Sequence, residues 1–133
     1  IQDKNKSMKS TPVYVYKGDA AEWARKSIHA RSCKTQSTNG MKQQQQSHER
    51  KWYDLDFNAL LVDPPRMGLD KMVCQMILEG SFDHVFYISC GQDALKRDLK
   101  LLTTKFSILD CCVLDLFPRT ADAVESLVHL KRI

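Results

Sequence analysis

The sequence predicts an α/β fold, a doubly wound and mostly parallel sheet with an antiparallel terminal strand. Three observations predict it. Short runs of strand character alternate with stretches of helical periodicity along most of the chain. The run Asn58-Ala59-Leu60-Leu61-Val62 is continuously apolar, as a parallel strand covered on both faces should be. The chain closes on two strand-like runs with only a short Pro-containing connection between them, which suits an antiparallel pair.

The elements follow in order. Thr11 to Tyr16 is β-branched and aromatic and reads as a strand. Gly18-Asp19 turns the chain, and Asp19 caps a helix over residues 20–30, with Glu22 completing a capping-box-like pair. Ala20, Ala24 and Ile28 share one stripe of that helix, with Trp23 beside it. Residues 31–51 turn polar, with Gln43 to Gln46 at their centre, and read as a flexible insertion. The run Asn58 to Val62 is the second strand, stopped by Asp63-Pro64-Pro65, since tandem prolines suit neither a helix interior nor a central strand.

Asp70 caps the next helix, which runs through Leu78 with Val73, Met76 and Ile77 inward and Gly80 as its stop. His84 to Ile88 is a third strand, ending at Ser89-Cys90-Gly91. Asp93 to Thr104 is a helix with Leu95, Leu99 and Leu102 inward. Ser107 to Leu116 and Val124 to Leu130 are the fourth and fifth strands.

Composition bounds the function. The 133 residues make one domain or part of one, and 43% hydrophobic content is enough for a packed core. No run reaches the ~20 apolar residues of a membrane span, so no membrane partner is expected. The N-terminus has neither a signal-peptide core nor a Met, and the chain is expected to continue a longer polypeptide upstream. The five cysteines show no CxxC or Cys/His spacing, which argues against a metal site and for an intracellular chain with reduced thiols. The net charge of +4 is uneven. Residues 1–51 hold 11 Lys/Arg against 4 Asp/Glu, and residues 52–133 hold 9 against 12. The basic half suits either RNA phosphates or a solvated linker.

Three motifs carry chemistry. Asp63-Pro64-Pro65-Arg66-Met67-Gly68 puts a carboxylate at one strand end, and Ile88-Ser89-Cys90 puts a thiol at the next. Strand ends of an open α/β sheet are where ligands bind. Phe117-Pro118-Arg119-Thr120, with Glu125 behind it, adds a second carboxylate. Cys90 stands before a helix start, a position that favours a thiolate. Arg66 reads equally as a brace for its loop or as a phosphate contact. Cys111 and Cys112, inside a strand, are expected to pack; Cys33 and Cys74 read as incidental. Tyr14, Tyr16 and Phe86 read as core.

Together these motifs resemble the C-terminal part of the catalytic domain of the RNA uracil-5-methyltransferase family, which includes tRNA (uracil-5-)-methyltransferases and their ribosomal RNA relatives. The resemblance covers about residues 12–132, apart from the polar insertion. It implies a partial Rossmann-like S-adenosylmethionine-dependent methyltransferase fold. It also implies S-adenosyl-L-methionine as cofactor and transfer or ribosomal RNA as partner. Cys90 is then the nucleophile and Glu125 the proton acceptor. Asp63 lies between cofactor and uracil, Arg66 on the substrate side, and Asp19 near the cofactor's adenine. The chain has no GxGxxG-like turn, so the cofactor loop is expected in an upstream segment of the same polypeptide.

Two departures from the family pattern stand out. The usual Ser-Cys-Asn-Pro is here Ser89-Cys90-Gly91-Gln92. In the final motif Asp122 falls where His is usual, and Val124 takes the usual Glu position, so Glu125 comes one residue late. A one-residue slip along a strand changes the face a side chain occupies. A noncatalytic RNA-binding or partner-binding remnant of the same fold is the second reading these departures leave open.

Overall fold

The computed structural model describes residues 13, 15, 17–35, 57–116, 118–119 and 123–133, with the backbone alone for 31–35. Seven elements follow in chain order: α1 (Ala20–Thr35), β1 (Ala59–Val62), α2 (Lys71–Glu79), β2 (His84–Ser89), α3 (Gln92–Leu102), β3 (Phe106–Asp115) and β4 (Val124–Arg132). The strand expected over residues 11–16 lies largely outside the described residues; Val13 and Val15 are exposed and carry no strand pairing.

The four described strands form one sheet in the order β1-β2-β4-β3. β1 and β2 are parallel, with Leu60 opposite Val85 and Val62 opposite Tyr87. β4 inserts between β2 and β3 and is antiparallel to both. Three strands therefore point one way and the last strand runs against them, as expected. Its insertion inside the sheet leaves β3, its chain predecessor, at the edge.

Local chemistry explains the helices. Asp19 Oδ1 accepts the Glu22 amide at 2.9 Å and so caps α1. Glu22 does not complete a capping box; its carboxylate pairs with Lys26 at 2.6 Å, and that bond holds its pKa below the ordinary value. α1 runs to Thr35, five residues past the expected end, because Arg31 to Thr35 contain no Gly or Pro to stop it. The first part of the expected insertion is thus helical, and the rest falls outside the described residues. Asp70 caps α2 by accepting the Met72 amide at 2.7 Å. Gly80 follows α2 in an extended conformation rather than a left-handed one.

α2 and α3 cover one face of the sheet. Val85, Tyr87, Ser89, Ser126, Val128 and Leu130 point to that face and are buried, alternating with half-buried neighbours. Val73, Met76 and Ile77 of α2 and Leu95 and Leu102 of α3 complete the core; Ala24 of α1 joins it through contact with α2. Leu99 packs only at the margin, and the buried position between Leu95 and Leu102 is Asp98.

Cys111 and Cys112 are exposed, not packed as expected. They belong to the edge strand, where every residue after Phe106 is exposed. Cys74, by contrast, is buried on α2, and burial pushes its thiol up to about 11. At the far end of the sheet, the Arg132 guanidinium donates to the carbonyls of Ile77, Leu78, Gly80 and Phe82 at 2.7–3.3 Å and stacks over Phe106. It ties the end of α2 to the last strand. His84 and His129 meet across β2 and β4 with ring nitrogens 3.0 Å apart, and Phe86 stacks on His129.

Candidate active site

The site is built at the carboxyl ends of β1 and β2. β1 ends at Val62, and Asp63-Pro64-Pro65 carries the chain away from the sheet. The Gly68 amide donates to the Pro65 carbonyl at 2.8 Å, closing a turn over Arg66 and Met67. Gly68 has φ +82°, the left-handed region that disfavours a side chain, so glycine is needed there. Asp63 and Arg66 are exposed on this loop.

The loop is held from below by α3. Asp98 is 3% exposed, yet its charge is fully met. Its Oδ2 accepts the Leu69 amide at 2.8 Å and the Tyr87 hydroxyl at 2.7 Å, and its Oδ1 accepts Arg97 Nε at 2.9 Å. Arg97 Nη2 in turn donates to the Met67 carbonyl at 2.9 Å. Burial, followed by the bond to Asp98, raises the Tyr87 pKa, and the bond to Asp98 raises that of Arg97.

Cys90 stands where β2 passes into α3. Ser89 is buried; its hydroxyl accepts the Gly91 amide and donates to the Gly91 carbonyl, both at 3.2 Å, which folds the turn tightly. A Cβ on Gly91 would collide with the Arg66 carbonyl, so the two loops touch backbone to backbone. Cys90 is half-buried, and with Arg66, Gln92, Asp93 and Val124 it lines a cleft of about 550 Å³. The first and second motifs therefore meet in one cavity.

The third motif arrives on β4. The β2–β4 ladder ends with Ser89 opposite Ser126, and one further step would set Cys90 opposite Glu125. Glu125 is paired with Leu114 of β3 and lies on the sheet face away from α3, whereas Val124 lines the Cys90 cleft. The Glu125 carboxylate has one oxygen, Oε2, that is buried without a hydrogen-bond partner among the described residues. Phe117, Thr120 and Asp122 lie outside the described residues.

A second cavity, of about 620 Å³, opens between the start of α1 and β1. Lys17, Gly18 and Asp19 form its rim, and Trp23, Leu60, Leu61 and Val62 are among its walls. Asp19 thus lies in this cavity and Arg66 and Cys90 in the other. Among the described residues, no three His, Cys, Asp or Glu side chains group closely enough to hold a metal ion, and no helix is long and apolar enough to cross a membrane.

Sequence reasoning missed Asp98, Tyr87 and Arg97. A signal existed: Asp98 sits three residues after Leu95 and four before Leu102, on the apolar stripe of α3. A carboxylate on a buried stripe requires a partner.

Comparison with known proteins agrees with this geometry. Residues 25–133 match the family model for tRNA (uracil-5-)-methyltransferase. A tRNA/tmRNA (uracil-C(5))-methyltransferase of Sulfurovum sp. is 35% identical over 98 residues, covering 74% of this chain and 26% of that protein. An uncharacterized RNA methyltransferase of Protochlamydia amoebophila is 40% identical over 77 residues, covering 57% of this chain and 18% of that protein. The chain therefore spans only about a fifth to a quarter of the length of these relatives. The crystal structure of Pyrococcus abyssi tRNA (uracil-54, C5)-methyltransferase in complex with S-adenosyl-L-homocysteine superposes with a TM-score of 0.51 at 32% identity, covering 56% of this chain and 18% of that one. With a thiol turn, a DPPR loop and an inserted antiparallel last strand in one arrangement, and a family match over most of its length, the chain belongs to the tRNA (uracil-5-)-methyltransferase family.

Proposed function

We propose that this chain forms the C-terminal part of the catalytic domain of an S-adenosylmethionine-dependent enzyme that methylates carbon 5 of uridine in transfer or ribosomal RNA, through a covalent cysteine–uracil intermediate. The observation that carries the reading is the shared cleft of Cys90 and Arg66; Glu125 holds the β4 position that would face Cys90 if the β2–β4 ladder continued one step.

The chemistry asks for these groups. Carbon 5 of uracil is a poor nucleophile. Attack of the Cys90 thiolate on carbon 6 breaks the 5,6 double bond and makes an enolate, whose electrons activate carbon 5. S-adenosylmethionine, when bound, would supply the methyl group that carbon 5 takes up, its sulfonium–methyl bond breaking to leave the neutral thioether S-adenosylhomocysteine. Glu125 then takes the proton from carbon 5; those electrons re-form the double bond and expel the Cys90 thiolate. Glu125 Oε2 accepts no hydrogen bond among the described residues, which leaves it available to take a proton.

The cavity beside α1 fits a nucleoside cofactor. Its apolar walls, Trp23 and Leu60 to Val62, suit a flat base, and Asp19 at the rim offers an acceptor for hydroxyl or amino groups. Asp63, at the end of β1, would face both cofactor and uracil, and Arg66 the RNA. The cofactor loop would lie in an upstream segment of the same polypeptide.

The test is intact-mass analysis of the full-length polypeptide mixed with 5-fluorouracil-containing RNA and S-adenosylmethionine. Fluorine at carbon 5 is not removed as a proton, so the reaction stalls as a covalent adduct. The expected result is a mass increase of RNA plus methyl, mapped to Cys90 and lost in Cys90→Ala while RNA binding persists. RNA binding without any adduct would overturn this reading in favour of a noncatalytic RNA-binding protein.

A further inference from the structure

We propose that Asp98 is a positioning residue that sets the DPPR loop against the Cys90 turn, so that thiol, Arg66 and Asp63 are presented to one substrate in one geometry; its catalytic side rests on the function proposed above. Asp98 touches neither the Cys90 cleft nor the cavity at Asp19. It acts through main-chain and side-chain groups of three elements. From the second turn of α3 it accepts the Leu69 amide of the loop and the Tyr87 hydroxyl of β2, and it orients Arg97 toward the Met67 carbonyl.

The geometry is over-determined at this point. A Cβ on Gly68 would lie 2.5 Å from Asp98 Oδ2, 2.8 Å from Arg97 Nη2 and 2.9 Å from Ala94 Cβ. The loop is therefore gripped at Met67, Gly68 and Leu69 by α3, while Gly91, the N-cap residue of α3, abuts Arg66. One rigid helix thus holds both ends of the reactive surface: the turn leading into it carries the thiol, and its second turn holds the loop. A carboxylate serves where an amide would not, because all its partners here are donors, and charge-assisted bonds are the shorter and stronger ones. Leu69 and Tyr87 share Oδ2, so replacing that oxygen or turning the group releases the loop from the sheet.

The test uses the full-length polypeptide and compares Asp98→Asn and Arg97→Gln with Arg132→Gln. Arg132 anchors the far end of the sheet and serves as a control for lost stability alone. Asp98→Asn is expected to lower kcat for methyl transfer about 30-fold, with KM for RNA within about twofold, because misplacement of reacting groups costs rate rather than affinity. Amides of residues 67–69 should exchange faster with solvent, and the rate of Cys90 alkylation by iodoacetamide, mapped by peptide mass, should change. Arg97→Gln should show the same changes more weakly. Arg132→Gln should lower the Tm and leave kcat, these amides and Cys90 alkylation as in the unmodified protein.

A folded Asp98→Asn protein with unchanged kcat overturns the proposal, as does an equal kcat loss in Arg132→Gln at matched Tm. If Asp98→Asn fails to fold, Arg97→Gln decides, and unchanged exchange at residues 67–69 overturns the clamp. Absence of methyl transfer in the unmodified protein would instead overturn the proposed function; amide exchange and Cys90 alkylation would still report whether Asp98 holds the loop.

Discussion

The α-carbon of Gly91 lies against the main-chain carbonyl of Arg66, with no room between them for a Cβ. The backbone of Gly91, at φ −123° and ψ 98°, is one that any residue adopts. The demand for glycine therefore comes from the neighbouring loop and not from the turn itself. A side chain at position 91 would have to displace the Arg66 loop, because the two reactive loops touch backbone to backbone here.

Gly91→Ala is accordingly expected to push the DPPR loop off the Cys90 turn. The cost should be about 1–3 kcal/mol of stability, the usual range for overpacking a tight contact. Urea denaturation measures it, and the rate of Cys90 adduct formation with 5-fluorouracil RNA should fall alongside. A Gly91→Ala protein as stable and as reactive as the original would show that the loops separate freely.

Glu125→Gln tests the register of β4. If Glu125 is the base, the variant should methylate carbon 5 and then hold the RNA, so a covalent complex accumulates on denaturing gels even with ordinary uridine. Val124, which lines the Cys90 cleft, occupies the alternative register. Rapid product release by Glu125→Gln would assign the proton transfer to another group.

Arg132→Gln removes a guanidinium that donates to four carbonyls around the end of α2. Gln offers fewer donors on a shorter stem and leaves several of these carbonyls unmatched. A loss of about 2–4 kcal/mol is expected, since hydrogen bonds to charged groups are worth more than neutral ones. Thermal unfolding followed by circular dichroism reads it directly.

Alkaline pH should destabilise the fold through Cys74. Its thiol is raised from 9.0 to about 11 by burial, so the folded chain keeps its proton where the unfolded chain loses it. The contribution is full below pH 9 and declines as pH rises from about 9 to 11, by at most about 3 kcal/mol. Tyr87, whose pKa is also raised, adds to the decline in the same direction. Cys74→Ala should be less stable at neutral pH and show a shallower loss between pH 9 and 11. Identical slopes in the two proteins would remove Cys74 as a source.

How much was legible in the sequence differs by element. The cap at Asp70, the apolar face of α2 and the strand-end positions of Asp63 and Cys90 follow from local rules, because capping, periodicity and proline exclusion act within a few residues. The end of α1 did not, since polar residues without Gly or Pro are as compatible with helix as with loop. Cys111 and Cys112 misled for a different reason: whether a strand is central or at an edge is a property of the sheet.

Local residue patterns are enough for the alternation of strands and helices, the antiparallel ending and the reactive residue types at successive strand ends. Each of these is written in residues close along the chain. Long-range packing sets the rest: β4 inserts beside β2, Val124 rather than Glu125 lines the Cys90 cleft, and Asp98 reaches back 29 residues to hold Leu69. These relations depend on register and on contacts between distant segments, and a side chain's face in a strand changes with every single step of register.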